Sequence, residues 1–302
     1  MNQKFGRNYV TNLFNESDIP MSPGRKLIAE YQPPSRREKA IESFDITSQI
    51  GRIAVIVAIC VVWWVIYDKA IINQSFIASP GQTWNWFVNN WDNGEVWRDL
   101  KVTLREAFLG WLIGSLLGLG VGLLTARYKK LWKITSPIFV FFNAVPRTAL
   151  APIFILWFGL AETSKVLIAV TIVFFIVMIP TRAAAEMIDP DLDMVMTTMG
   201  GRDRDRFRFV ILPSVLTSVF GAIRLASVWA LLGASYAELF GAKYGLGLRY
   251  MSATNALNMP ESFAVTALIA FLALFINAFV GLLEKRLMKW QSSGAQGSVL
   301  VI

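Results

Sequence analysis

Arginine is the residue this chain uses where chemistry is conceivable. Arg147 follows Pro146 in the apolar stretch SPIFVFFNAVPRTALAPIFILWFG, and Arg224 sits in LTSVFGAIRLASVWALLG, each far from other charge. A further group, Arg202, Arg204, Arg206 and Arg208, is interleaved with Asp203, Asp205 and Phe207. A guanidinium offers five N–H donors and keeps its charge at any working pH, so it grips anions and does not shuttle protons. The groups that would build a catalytic or metal centre are missing: His count is 0, and the one cysteine, Cys60, lies in an apolar run. His-based proton relays, His/Cys metal clusters and His-assisted nucleophiles are excluded on that ground. No Gly-x-x-x-x-Gly-Lys-Ser/Thr occurs, and Gly245-Leu246-Gly247 is too short for a nucleotide fingerprint, so this chain is not expected to bind ATP. Anion binding and docking remain.

The elements that must position these arginines are hydrocarbon-length helices. The chain of 302 residues is 55% hydrophobic and 17% charged, against about 25% charged in a soluble domain. Its charges gather in the first fifty residues and in short islands, and crossing ~30 Å of hydrocarbon takes roughly 20 helical residues. The pattern predicts an all-α integral membrane protein of about six transmembrane helices: Ile50–Tyr67, Val102–Ala126, Ser136–Leu160 interrupted by Pro146 and Pro152, Lys165–Pro180, Pro213–Phe240 and Phe263–Leu283. Residues 1–48 form a polar tail, 49–290 the transmembrane domain and 291–302 a second tail. Residues 68–100 read as an extended connection plus an amphipathic piece at the interface. Gly110, Gly114, Gly118, Gly120 and Gly122 let a neighbouring helix approach the second span closely.

Six spans put both ends on one side. Arg127, Lys129, Lys130 and Lys133 follow the second span, and Arg182, Arg202, Arg204, Arg206 and Arg208 follow the fourth. Basic residues mark the inner side, so both termini are predicted cytoplasmic. The net charge of +8 therefore records orientation and calls for no nucleic acid.

Within that frame Arg147 lies at mid-bilayer, where a charge costs several kcal/mol unless it faces water or a partner. Pro146 breaks the helix beside it and frees a backbone carbonyl. Two readings stand: Arg147 faces an anion in a pathway, or it pairs with a carboxylate or carbonyls and fixes packing. Arg224 reads as structural, with Glu106 and Glu238 as the candidate carboxylates. Asn143, Trp157, Ser227 and Trp229 could line the same cavity.

The stretch 189–212 is the other candidate. Gly200 and Gly201 separate two short helical segments. Four-residue spacing puts Arg202 with Arg206 and Arg204 with Arg208, and Phe207 stands as a lone apolar knob. Such a segment either docks on a cytoplasmic partner or rests on anionic lipid.

Gly200, nine residues, then Val210-Ile211-Leu212-Pro213 resembles the cytoplasmic signature of permease subunits of binding-protein-dependent ABC importers. Met194-Val195-Met196 stands where that signature has Glu-Ala-Ala. Phe76-Ile77-Ala78-Ser79-Pro80, Pro152-Ile153-Phe154-Ile155-Leu156-Trp157-Phe158-Gly159, Gly221-Ala222-Ile223-Arg224-Leu225-Ala226, Ala237-Glu238-Leu239-Phe240-Gly241 and Gly245-Leu246-Gly247 are similar, in order, to the nitrate/sulfonate/taurine branch. The resemblance covers roughly residues 50–290. It implies a type I ABC importer permease-like bundle in a prokaryotic inner membrane, two copies forming the pathway, and a solute-binding protein on the outer face. ATPase subunits would dock on Gly200–Arg208, with ATP and Mg bound there and no cofactor in this chain. The branch handles nitrate, sulfonates and taurine, bicarbonate and, in some members, vitamin precursors or aromatic acids. The alternative is an ion-coupled secondary transporter, since broken helices and buried charges also occur there; a channel lacks its polar ring and a membrane enzyme its acid–base cluster.

Overall fold

The computed structural model describes residues 46–92, 94–188 and 190–287. Both predicted tails, and Asp189 at the head of the basic stretch, lie outside or largely outside these residues. Among the described residues every regular element is helical. In order these are α1 (Ile46–Asp68), α2 (Pro80–Asn90), α3 (Gly94–Arg127), α4 (Lys129–Ala144), a short 3-10 turn (Arg147–Leu150), α5 (Ala151–Phe158), α6 (Glu162–Glu186), α7 (Pro190–Thr198), α8 (Asp203–Arg206), a π turn (Phe207–Ile211), α9 (Leu212–Phe240), α10 (Leu246–Asn255) and α11 (Met259–Leu287). One folding unit ends at Val62, inside α1, and a second begins at Trp63.

Five of these helices are long and apolar enough to cross a membrane, and α4 with the segment Arg147–Phe158 makes a sixth when the pair is one span bent by 84°. Packing decides that it is. Gly110, Gly114, Gly118 and Gly122 of α3 meet Ala169, Val173, Phe174 and Thr181 of α6 in the same order, so α3 and α6 run parallel. Parallel neighbours require the chain between them to return across the whole layer. The bent pair is that return, a broken crossing. The glycines are needed because a Cβ on Gly114 would lie 2.7 Å from Val173 Cβ. Gly120 differs from the expected stripe: nothing lies within 4 Å of a Cβ placed there.

Local sequence explains the other boundaries. Ser79 and Gln82 form a reciprocal capping box with Pro80 in the first turn, which starts α2. Helix α3 then begins at Gly94, so much of the expected connection 68–100 is helical. At 34 residues α3 is about 51 Å long, well beyond the ~30 Å thickness of the hydrocarbon. Pro152 does not interrupt a helix but occupies the first turn of α5, where its missing N–H costs nothing. The core has two ends. Val96, Leu100, Leu231, Leu246, Val265 and Leu268 join α3, α9, α10 and α11, and Val173, Val177, Val215 and Val219 join α6 to α9.

Candidate functional site

The basic segment is built by a helix stop followed by a helix defect. Gly200 takes φ +74°, and Gly201 N–H donates back to Met196 O at 2.9 Å, the six-to-one bond of a Schellman terminator. A Cβ on Gly201 would fall 2.8 Å from the Met196 methyl. Arg202 lies outside the following helix: its backbone N–H donates to Asp205 Oδ2 at 3.0 Å while its carbonyl accepts from Arg206 N–H at 3.0 Å. Arg202 therefore caps that helix, one turn before Arg206. The π turn over Phe207–Ile211 inserts a wider turn between α8 and α9. Such turns mark functional segments more often than chance.

Phe207 is not a lone knob. It is 44% exposed and Phe209, two residues on, is 64% exposed, with the Arg208 guanidinium 5.7 Å from the Phe209 ring centre. Arg204 and Arg208 are exposed and Arg206 is half-buried. Arg206 and Phe207 line a cleft of about 720 Å³ with Gly120, Arg127, Lys129 and Glu186. That cleft lies at the end of the bundle where α3 and α6 finish.

Arg147 occupies the bend of the broken crossing. Val145 is extended at φ −67° and ψ 127°, as a residue before proline favours, which ends α4, and Pro146 continues extended at φ −61° and ψ 107°. The Arg147 guanidinium donates to Asn143 O at 3.2 Å and to Asn143 Oδ1, and lies 5.0 Å from the centre of the Phe175 ring. Its Nε has no hydrogen-bond partner, and among the described residues no carboxylate pairs with it. Asn143, Pro146 and Arg147 are thus brought together. Trp157, 70% exposed, lies tilted against Phe154 with ring centres 6.0 Å apart. Ser227 is buried and its hydroxyl donates to Arg224 O at 2.7 Å; Trp229 stands 44% exposed on α9.

The carboxylates expected near the arginines are elsewhere. Arg224 Nε donates to Asn277 Oδ1 at 3.0 Å and its terminal nitrogen meets Glu284 Oε2 at 3.5 Å, both on α11, across from Gly281. Glu106 and Glu238 belong to a polar network at the opposite end of the bundle. Glu238 accepts from Thr103 Oγ1 at 2.7 Å and from Gly247 N–H at 2.6 Å. Thr103 Oγ1 accepts from Leu246 N–H at 2.9 Å, and Asp99 Oδ1 from Gly245 N–H at 3.3 Å. Three carboxyl- or hydroxyl-bearing residues thus cap the start of α10, where a helix dipole favours them. Glycine is required at 245 and 247: a Cβ would lie 2.4 Å from Glu238 Cδ and 2.2 Å from Ser235 O respectively.

Arg249 closes the network. It donates to Asp99 Oδ2 at 2.8 Å, Glu261 Oε1 at 2.9 Å and Glu95 Oε2 at 3.2 Å. Burial works against its charge, yet the bonds and charge of Asp99, with bonds to Glu261 and Glu95, raise its pKa above the ordinary arginine range. Gly245-x-Gly247 was the sequence signal for this network; its partners sit up to 146 residues away and carry no signal of their own.

Comparison with known proteins places this geometry. Residues 114–289 match the family described as binding-protein-dependent transport system inner membrane component. The putative aliphatic sulfonates transport permease protein SsuC of Bacillus subtilis (strain 168) is 32% identical over 240 residues, 80% of this chain and 86% of that protein. The riboflavin transport system permease protein RibX of Chloroflexus aurantiacus is 29% identical over 217 residues, 72% of this chain and 81% of that one. The taurine transport system permease protein TauC of Escherichia coli (strain K12) is 28% identical over 255 residues, 82% and 91% of the two chains. In fold, the chain resembles the inward-facing MetNI methionine ABC transporter, with TM-score 0.58 and 19% identity over 64% of this chain and 96% of that one.

Proposed function

The chain belongs to the binding-protein-dependent transport system inner membrane components, and from that premise we propose that two copies of it form the pathway of an ATP-driven importer for a small organic anion, sulfonates first. The observation that carries the anion is Arg147. Its guanidinium sits at the break of a membrane crossing with Asn143 as its hydrogen-bonding partner. A cation so placed keeps donors and an uncompensated charge for a passing sulfonate or carboxylate, while the charge of Arg224 is already paired with Glu284. Two relatives named for sulfonates and taurine support the choice; the riboflavin relative widens the class.

In this reading the end of the bundle bearing Arg204, Phe207, Arg208 and Phe209 faces the cytoplasm and receives the ATPase subunits. The end bearing α10 faces outward, toward the solute-binding protein. Both termini are then cytoplasmic. ATP energy reaches the pathway as movement of the docked segment, with the π turn joining it directly to α9. The broken crossing is common to the ion-coupled reading; family membership favours the ATP-driven one.

The test is uptake of taurine and of ethanesulfonate by cells carrying the complete importer. Arg147→Gln lowers uptake at least about tenfold while the ATPase still co-purifies with the chain, an effect on the scale of one charged hydrogen-bonded contact; Arg147→Lys recovers part of it. Unchanged uptake in Arg147→Gln removes the anion reading.

A further inference from the structure

Residues 80–92 read PGQTWNWFVNNWD, and helical spacing puts Trp84, Val88 and Trp91 on one side of α2. That side is bare: Trp84 is 68%, Val88 62% and Trp91 45% exposed. The opposite side, with Thr83 buried and Trp86 packed on the core, fixes the helix against α11. Between the bare side and α11 runs a groove of about 530 Å³, with Leu268 and Phe271 forming its far wall.

The groove is asymmetric along its length. Asp92, just before α3 begins, is the one charged residue that lines it. Asp92 is exposed, and among the described residues it makes no hydrogen bond or ion pair. Trp91 beside it is fixed by an edge contact with Trp97 at 4.8 Å and by Trp97 Nε1–H donating to Trp91 O at 2.9 Å. The other end is hydrocarbon: Phe271 lies twelve residues into the membrane-crossing α11, about 18 Å below its start. A carboxylate with indole faces attracts an ammonium, and a single negative charge repels a phosphate-only headgroup.

We propose that this groove is a specific site for a phospholipid with an ammonium headgroup, its cation held by Trp91 and Asp92 and one acyl chain lying along Val88, Leu268 and Phe271. The site is independent of the solute pathway. It ties α2 to α11 through a lipid and makes the membrane's composition part of the fold.

The test is native mass spectrometry of the full-length chain, purified in detergent and offered matched phosphatidylethanolamine and phosphatidylglycerol. The unaltered chain retains the ethanolamine lipid roughly three- to fivefold better, the scale of an exposed cation–π contact. Asp92→Asn brings its retention down to that of the glycerol lipid. N-acetylated phosphatidylethanolamine, which lacks the cation, is retained no better than the glycerol lipid by the unaltered chain, a measurement free of any folding effect. Equal retention of the two lipids by the unaltered chain, preference preserved in Asp92→Asn, or full retention of the acetylated lipid each overturns the proposal.

Discussion

Glu238 shows how a single side chain can bind three helices. Lying at the end of α9, it takes the Thr103 hydroxyl of α3 on one oxygen and the Gly247 N–H of α10 on the other. Replacing it with Ala strands the buried Gly247 N–H, worth about 1–3 kcal/mol when unsatisfied, and leaves the Thr103 hydroxyl only the Asp99 carbonyl at 3.2 Å. Glu238→Ala is therefore expected to lower the thermal unfolding midpoint in detergent clearly, and Glu238→Gln less, because the amide still accepts one of the two bonds. Gly247→Ala loses stability by the other route, overpacking against Ser235 O, at about 1–3 kcal/mol. Gly200→Ala carries left-handed strain of about 1–2 kcal/mol, and its readout is local: weaker ATPase co-purification with little change in unfolding midpoint, since Gly200 is exposed. A midpoint unmoved by Glu238→Ala would show that this network does not hold α10. At this scale the sequence displayed the glycines and the acid but not their pairing. A hydrogen bond between residues 103 and 238 leaves no periodic trace in either segment.

Helix α3 and its partner α6 make the tightest contact of the bundle, and the reason is the absence of side chains at every fourth position. In a bilayer the gain comes from close packing, since lipid tails are as apolar as leucine. Gly114→Val is expected to separate α3 from α6 and to destabilise the chain by about 1–3 kcal/mol, because Val173 Cβ and its methyl stand 2.7 and 2.8 Å from the added atom. Gly120→Ala meets nothing and is expected to be neutral or stabilising by up to about 1 kcal/mol through helix propensity. Paired unfolding curves of the two variants check this, and equal effects would refute the face assignment. The stripe of glycines was legible in advance as a close-approach surface, but which glycine faced the neighbour was not. Gly118, Gly120 and Gly122 lie within two turns, and only the partner helix distinguishes them. The π turn was illegible because regular four-residue spacing of arginines predicts an ordinary helix, whereas a wider turn joins the segment to α9.

The parallel run of α3 and α6 makes the bent pair a complete crossing, and the basic residues at the end where both helices finish predict that end to be cytoplasmic. In a Cys60→Ser background, single cysteines at Lys130 and Arg204 are expected to react with a membrane-impermeant thiol reagent only from the cytoplasmic face, and a cysteine at Lys243 only from outside. Labelling of positions 130 and 204 from opposite faces would turn the bent pair into a re-entrant loop and undo the topology. By itself the sequence determined the membrane class, the approximate extent of each crossing, the helix stop at Gly200 and the family signature. Each of these is written in composition, periodicity or local backbone preference over a few turns. Tertiary structure alone decided that Arg224 rests on Glu284 while Arg147 has no carboxylate among the described residues, that Glu106 and Glu238 belong to the α10 network, and that Phe209 stands out beside Phe207. Those outcomes depend on which helix faces are neighbours. In a chain whose helices are apolar on nearly every side, periodicity does not single out one face, so packing must choose.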